Sequence, residues 1–159
     1  MKILATVPGG SVYLSDEQAL EVSPTVLAYV GDAVWELFVR TQLIVDTGGI
    51  ARARDLHAAA LGSVNAKAQA RLLVGLAGSL STEEHDIIRR GRNVRPHHAI
   101  RSSDPGQYRQ STGFEALLGY AYLTGRTERL DELLHMAMAA LRELDGNGGV
   151  GETEGRDGQ

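Results

Sequence analysis

Apolar side chains in this chain return every three or four positions over stretch after stretch, and most of those stretches are bracketed by helix caps. A 3.6-residue period buries one face of a helix and cannot bury one face of a strand, so this pattern limits the fold more than any other feature. Ser15, with Gln18 three residues on, forms a capping-box pattern for one short helix. Ser23 as N-cap and Pro24 at the first helical position open a longer one, predicted to run to about Val45, whose apolar stripe is Val26, Leu27, Val30, Val34, Leu37 and Phe38. After the turn "DTGG" a helix is expected from about Ala51 to Leu61, with Gly62 and Ser63 separating it from the next, which carries Val64, Ala68, Leu72 and Leu76. Ser81 and Glu84 cap "TEEHDIIRRGR", and Asp104 with Pro105 starts a helix reaching about Thr124. Gly113 and Gly119 cost that helix roughly 1 kcal/mol each relative to alanine, which implies close packing or a kink. The last helix, about Glu128 to Leu144, should stop at Gly146. No strand pattern and no internal repeat is present, so the expected fold class is all-α, a helical bundle.

The 159 residues suit one domain with one core. The expected division is an N-terminal extension over 1–22, a domain over 23–145 and a disordered glycine-rich tail over 146–159, where six of fourteen residues are glycine. No run approaches the roughly 18 apolar residues of a membrane span, and "MKILATVPGGSVYLS" lacks a signal peptide's long apolar segment, so a cytoplasmic location is expected. The absence of cysteine removes thiol chemistry and Cys-ligated zinc, leaving His, Asp and Glu to hold any metal, which should be hard and oxygen-bound. The net charge of -4 argues by itself against a nucleic-acid partner, but the charges are segregated. Ile88 to Arg109 holds six arginines against the single acid Asp104, whereas after Gly125 eight acids face four arginines.

Two carboxylates stand out against apolar surroundings. Asp32 lies in "LAYVGDAVWELF" and Glu115 in "STGFEALLGYAYL", and an ionised carboxylate among apolar residues is costly unless it faces water, a cation or a metal. One reading is bland: Thr25, Ala28, Asp32, Glu36 and Arg40 share a helix face, Glu36 and Arg40 pair at i,i+4, and Asp32 continues a solvated edge. The other brings both helices together so that the two acids line one cleft and bind Mg²⁺, which takes oxygen ligands and keeps several waters. The spacing alone decides between them no further. Arg89, Arg90, Arg92, Arg95 and Arg101 are candidates for phosphate contacts, with a solvated charge run as the alternative, and His97 and His98 lie in the same loop. The pair His85 and Asp86, with His57 upstream, matches the minimal pattern of HD phosphohydrolases, a weak signal that leaves the two acid-bearing runs unexplained.

The run "LAYVGDAVWEL" resembles the signature helix of the ribonuclease III family, "FEALLGYAYL" resembles its second acidic motif, and "LGSVNAKAQA" between them is similar to its middle segment. The combination of "AYVGDAVWE", "NAKAQA", "RRGRN" and "YRQSTGFEALLGY", with no double-stranded-RNA-binding domain after it, is similar to the short Mini-ribonuclease III branch. The resemblance implies a ribonuclease III-like endonuclease domain in which Asp32 and Glu115 are the catalytic, metal-binding residues for Mg²⁺, with Mn²⁺ also acceptable. It implies an endoribonuclease that cleaves double-stranded RNA to 5′-phosphate ends, maturing precursor large-subunit (23S) ribosomal RNA. It further implies a homodimer formed through the signature helix, with Tyr29, Trp35 and Phe38 as candidate anchors, although aromatics on a helix equally belong to a core. Asn65 and Lys67 join the arginines as RNA contacts on motif position alone. Whether a large-subunit ribosomal protein assists is left open. Full-length family enzymes carry a glutamate four residues before the signature aspartate and an aspartate three before the second glutamate; here those positions are Ala28 and Thr112. That departure keeps a catalytically silent RNA- or ribosome-binding assembly module as the alternative.

Overall fold

The computed structural model describes residues 13–94 and 104–147, and every regular element among them is helical. In chain order these are α1 (Asp16–Glu21), α2 (Pro24–Asp46), α3 (Ala53–Val64), α4 (Ala66–Leu76), a 3₁₀ turn (Ala77–Ser79), α5 (Thr82–Arg92), α6 (Pro105–Leu123) and α7 (Thr127–Asn147). The caps are those the sequence announces. Ser15 and Ser81 form full capping boxes, Ser23 accepts from the Val26 amide, and the Asp104 carboxylate accepts from the amides of Gly106 and Gln107.

Helix α6 is the central element. Ten of its residues, Ser111–Phe114 and Ala116–Ala121, are buried, and α2, α4, α5 and α7 all pack on it. A helix covered on several sides carries no single apolar stripe, which explains why "TGFEALLGYAYL" is apolar nearly all round. Trp35 anchors the main core: it stacks on Phe38 at 5.9 Å, meets Phe114 edge-on at 5.3 Å, and its indole N–H donates to the Ser63 carbonyl at 3.2 Å.

Some helix boundaries differ from the sequence expectation. The break between α3 and α4 falls at Asn65, and α3 runs straight through Gly62 and Ser63. Asn65 makes that break by serving both helices, accepting from the Ala68 amide while its Nδ2 donates to the carbonyls of Leu61 and Gly62. Helix α7 continues past Gly146 to Asn147, a margin of the size by which fraying helix ends vary. Residues 13–22 also pack onto the domain: Ala19 is fully buried against Leu27, Ile87 and Tyr120, and the Leu14 amide donates to the Leu123 carbonyl. The rest of the 1–22 segment and the tail beyond residue 147 lie outside the described residues.

Two helix crossings are close enough to exclude side chains. A Cβ built on Gly91 in α5 would fall 2.9 Å from the Gly113 Cα in α6, and one on Gly113 would press on Ile88. At the second crossing, a Cβ on Gly31 in α2 would fall 1.8 Å from the Glu115 carbonyl oxygen, and one on Gly119 would fall 1.9 Å from the Leu27 carbonyl oxygen. Only hydrogen in place of a side chain permits backbones this near. The cost of the α6 glycines therefore goes to close packing.

Candidate active site

The Gly31–Gly119 crossing sets the geometry of the site. Asp32 follows Gly31 on α2, and the Glu115 backbone lies against Gly31 from α6, so the two acids meet across one helix interface. Both are partly buried, and both are harder to ionise than usual. Burial, the nearby Glu36 charge and, in the opposite direction, Arg40 act on Asp32, with a net rise. Burial pushes Glu115 up to about 8, helped by the Asp32 charge and opposed by the Gln69 amide. The repulsion falls on Glu115 because Asp32, the less perturbed acid, loses its proton first.

Gln69, on α4, is 1% exposed, and its Nε2 is buried with no hydrogen-bond partner. Its amide is near enough to Glu115 to favour the ionised carboxylate, yet it completes no hydrogen bond to it. Ala28 and Thr112 are buried and offer no ligand; the Thr112 hydroxyl donates to the Tyr108 carbonyl at 2.9 Å. Glu36 is engaged by Arg40 at 2.5 Å. No cluster of three or more His, Asp or Glu side chains suited to a metal occurs among the described residues, which also leaves His57, His85 and Asp86 without a centre to form; Asp86 pairs with Arg89 at 2.9 Å.

The remaining candidates separate cleanly. Trp35 and Phe38 are 0% and 1% exposed inside the molecule's own core, so neither can anchor a partner; the interior needs their volume. Tyr29, in contrast, is 80% exposed on the opposite face of α2. Arg90 is not a free cation: its Nη2 donates to the Leu20 and Val22 carbonyls at 2.7 and 3.3 Å and pins the end of α1. Asn65 is spent on the α3–α4 break rather than offered to a ligand. Arg89 and Arg92 are exposed at the end of α5, and Lys67 lines a groove of about 370 Å³ between α4 and the start of α6, with Arg71 beside it. Arg95, Arg101, His97 and His98 lie outside the described residues.

The Ribonuclease III domain model matches residues 25–126, a span that contains both acids and the crossing that joins them. The chain belongs to the ribonuclease III family. It is 50% identical to Mini-ribonuclease 3 of Symbiobacterium thermophilum over 74% of this chain and 89% of that one. It is 41% identical to Mini-ribonuclease 3 of a Thermoanaerobacter species over 82% and 90%. A crystal structure of a Fusobacterium nucleatum protein superposes with a TM-score of 0.66 at 26% identity, covering 75% of this chain and 93% of that one. As a ribonuclease III family member the chain is an endoribonuclease, of a family that acts on double-stranded RNA and works as dimers. Within this ribonuclease III domain, sequence reasoning missed Gln69, Gly31 and Arg71. Gln69 had a signal: with Leu72, Leu73 and Leu76 it falls on one helix face, so a polar side chain occupies a core position of the pattern.

Proposed function

We propose that this enzyme cleaves a double-stranded stalk of precursor large-subunit (23S) ribosomal RNA, using Asp32 and Glu115 to hold a divalent cation, Mg²⁺ by preference and Mn²⁺ as a substitute. The observation that carries the reading is the meeting of the two acids over the Gly31–Gly119 crossing, each harder to ionise than an ordinary carboxyl. Two carboxylates forced together with a buried, unsatisfied amide beside them suit a cation, which would favour the ionised form of both. Oxygen-only donors fit a hard ion that completes its shell with water and substrate phosphate. When bound, such an ion lowers the pKa of water and neutralises charge on the scissile phosphate.

The protein's own part is to orient and to bind. Asp32 and Glu115 are held from two helices whose backbones touch, so their separation cannot drift without moving the whole crossing. Phosphates of the duplex are contacted by exposed cations, Arg89 and Arg92 at the end of α5 and Lys67 and Arg71 along α4, joined by Arg95 and Arg101 of the arginine-rich sequence that follows. Cutting both strands takes two such sites, which a symmetric pair of chains supplies. The pairing surface is the outer face of α2, where Val26, Tyr29, Ala33 and Leu37 are exposed in line at intervals of three and four. Relatives sharing up to half of this sequence carry the name Mini-ribonuclease 3, which supports RNA as the substrate.

The test is cleavage of a precursor stalk by Asp32→Asn and Glu115→Gln, with Mg²⁺ present. Both variants should lose cleavage by about a thousandfold or more while binding the duplex nearly as the parent does. Near-normal cleavage by either variant would remove its residue from the site.

A further inference from the structure

Gln69 is a poor choice for the position it occupies if the folded protein is considered alone. It sits on the inner face of α4 beside Leu72, Leu73 and Leu76, is 1% exposed, and leaves its Nε2 buried without a partner. A methionine or leucine would fill the same volume with no unsatisfied donor. The amide nevertheless lies beside the Glu115 carboxyl, and α4 and α2 both pack on the helix that carries it. An amide donor acquires full value there only when its neighbour is ionised, since a hydrogen bond to a carboxylate is shorter and stronger than one between neutral groups.

We infer that Gln69 is a positioning residue for the cation site: its Nε2 hydrogen-bonds one oxygen of ionised Glu115 and fixes the carboxylate with its other oxygen presented to the metal. The inference rests on the reading of Asp32 and Glu115 as metal ligands. It gives the buried, unpartnered Nε2 an acceptor within reach. It also gives α4 a part in the chemistry: the helix that carries Lys67 and Arg71 on its outer face carries the support of a metal ligand on its inner face. Residues that hold a ligand from behind commonly set metal affinity by 10- to 100-fold when removed.

The experiment measures Mn²⁺ affinity by electron paramagnetic resonance on the full chain, with thermal unfolding of the metal-free protein alongside. Gln69→Met, which keeps length and removes both polar atoms, should unfold at the same or a higher temperature and bind Mn²⁺ about tenfold more weakly or worse. In steady-state cleavage it should need correspondingly more metal, while its KM for duplex RNA at saturating metal stays within about twofold of the parent's. Gln69→Leu serves as a second variant with the same expectation. Mn²⁺ affinity within about twofold of the parent in a folded variant would overturn the inference, and so would failure of both variants to fold, which would make Gln69 structural. Asp32→Asn and Glu115→Gln run in parallel keep the two readings apart. If they retain Mn²⁺ binding, the metal site itself is misassigned; if they lose it while Gln69→Met does not, only the role of Gln69 fails.

Discussion

At neutral pH the Glu115 carboxyl, pushed up to about 8 by burial and by the Asp32 charge, keeps its proton in the metal-free protein, whereas in the unfolded chain it would lose it near 4.5. Between those values the native state binds more protons than the unfolded state, so stability falls as pH rises through that window. The full conversion amounts to a few kcal/mol, on the order of 1.4 kcal/mol per unit of displacement. Unfolding midpoints of the metal-free protein should therefore fall from pH 5 to pH 8.5, more steeply than those of Glu115→Gln, and the variant should be the more stable protein at pH 8.5. Adding a divalent cation at pH 8.5 should restore the parent and leave the variant little changed. A parent whose stability is flat across this range would mean that Glu115 is far better solvated than its position indicates. Neither displacement can be read from "GDA" or "FEA", because each depends on which charges and how much apolar surface another helix brings.

Helices α2 and α6 meet through two glycines separated by 88 positions in the chain, and that contact decides where both acids stand. Gly31→Ala and Gly119→Ala would each drive a methyl group into a backbone carbonyl, at 1.8 and 1.9 Å, where neither partner is a flexible side-chain end. Each should cost about 3 kcal/mol or more and lower cleavage in whatever fraction still folds, measured by denaturant unfolding and single-turnover assays. Gly62 is the matched control, a helical glycine with open space where its Cβ would go. Gly62→Ala should leave activity unchanged and stabilise α3 by up to about 1 kcal/mol. The sequence marked the α6 glycines as expensive and so hinted at close approach. It could not say that the partner of Gly119 was Gly31 rather than, for instance, Gly91, because a helix pattern records which face is small and not what presses against it.

For the whole molecule, the exposed line of Val26, Tyr29, Ala33 and Leu37 is apolar surface that a single copy leaves in water. Pairing two copies through it would bury Tyr29, the most exposed aromatic among them, near the centre of a symmetric interface. Tyr29→Arg and Leu37→Arg should yield a monomer by light scattering at micromolar concentration with the helical content of the parent, and a nick in one strand in place of double-strand cleavage. Trp35→Ala makes the opposite control: it empties the core between α2, α3 and α6 and should cost about 3–5 kcal/mol without changing the oligomeric state of the protein that remains folded. A dimer that survives both arginine substitutions would move the pairing surface elsewhere.

Local chemistry alone determined the helices, their caps and the two acid-bearing runs, because N-cap side chains, proline at a first turn and a 3.6-residue period act within a few residues of themselves. The tertiary structure decided what those pieces became: Trp35 and Phe38 turned inward, Arg90 was committed to the end of α1, and Gln69 came to lie beside Glu115. Those outcomes depend on contacts between residues far apart in the chain, made where backbones approach closely enough to exclude water, and no window of neighbouring letters contains them.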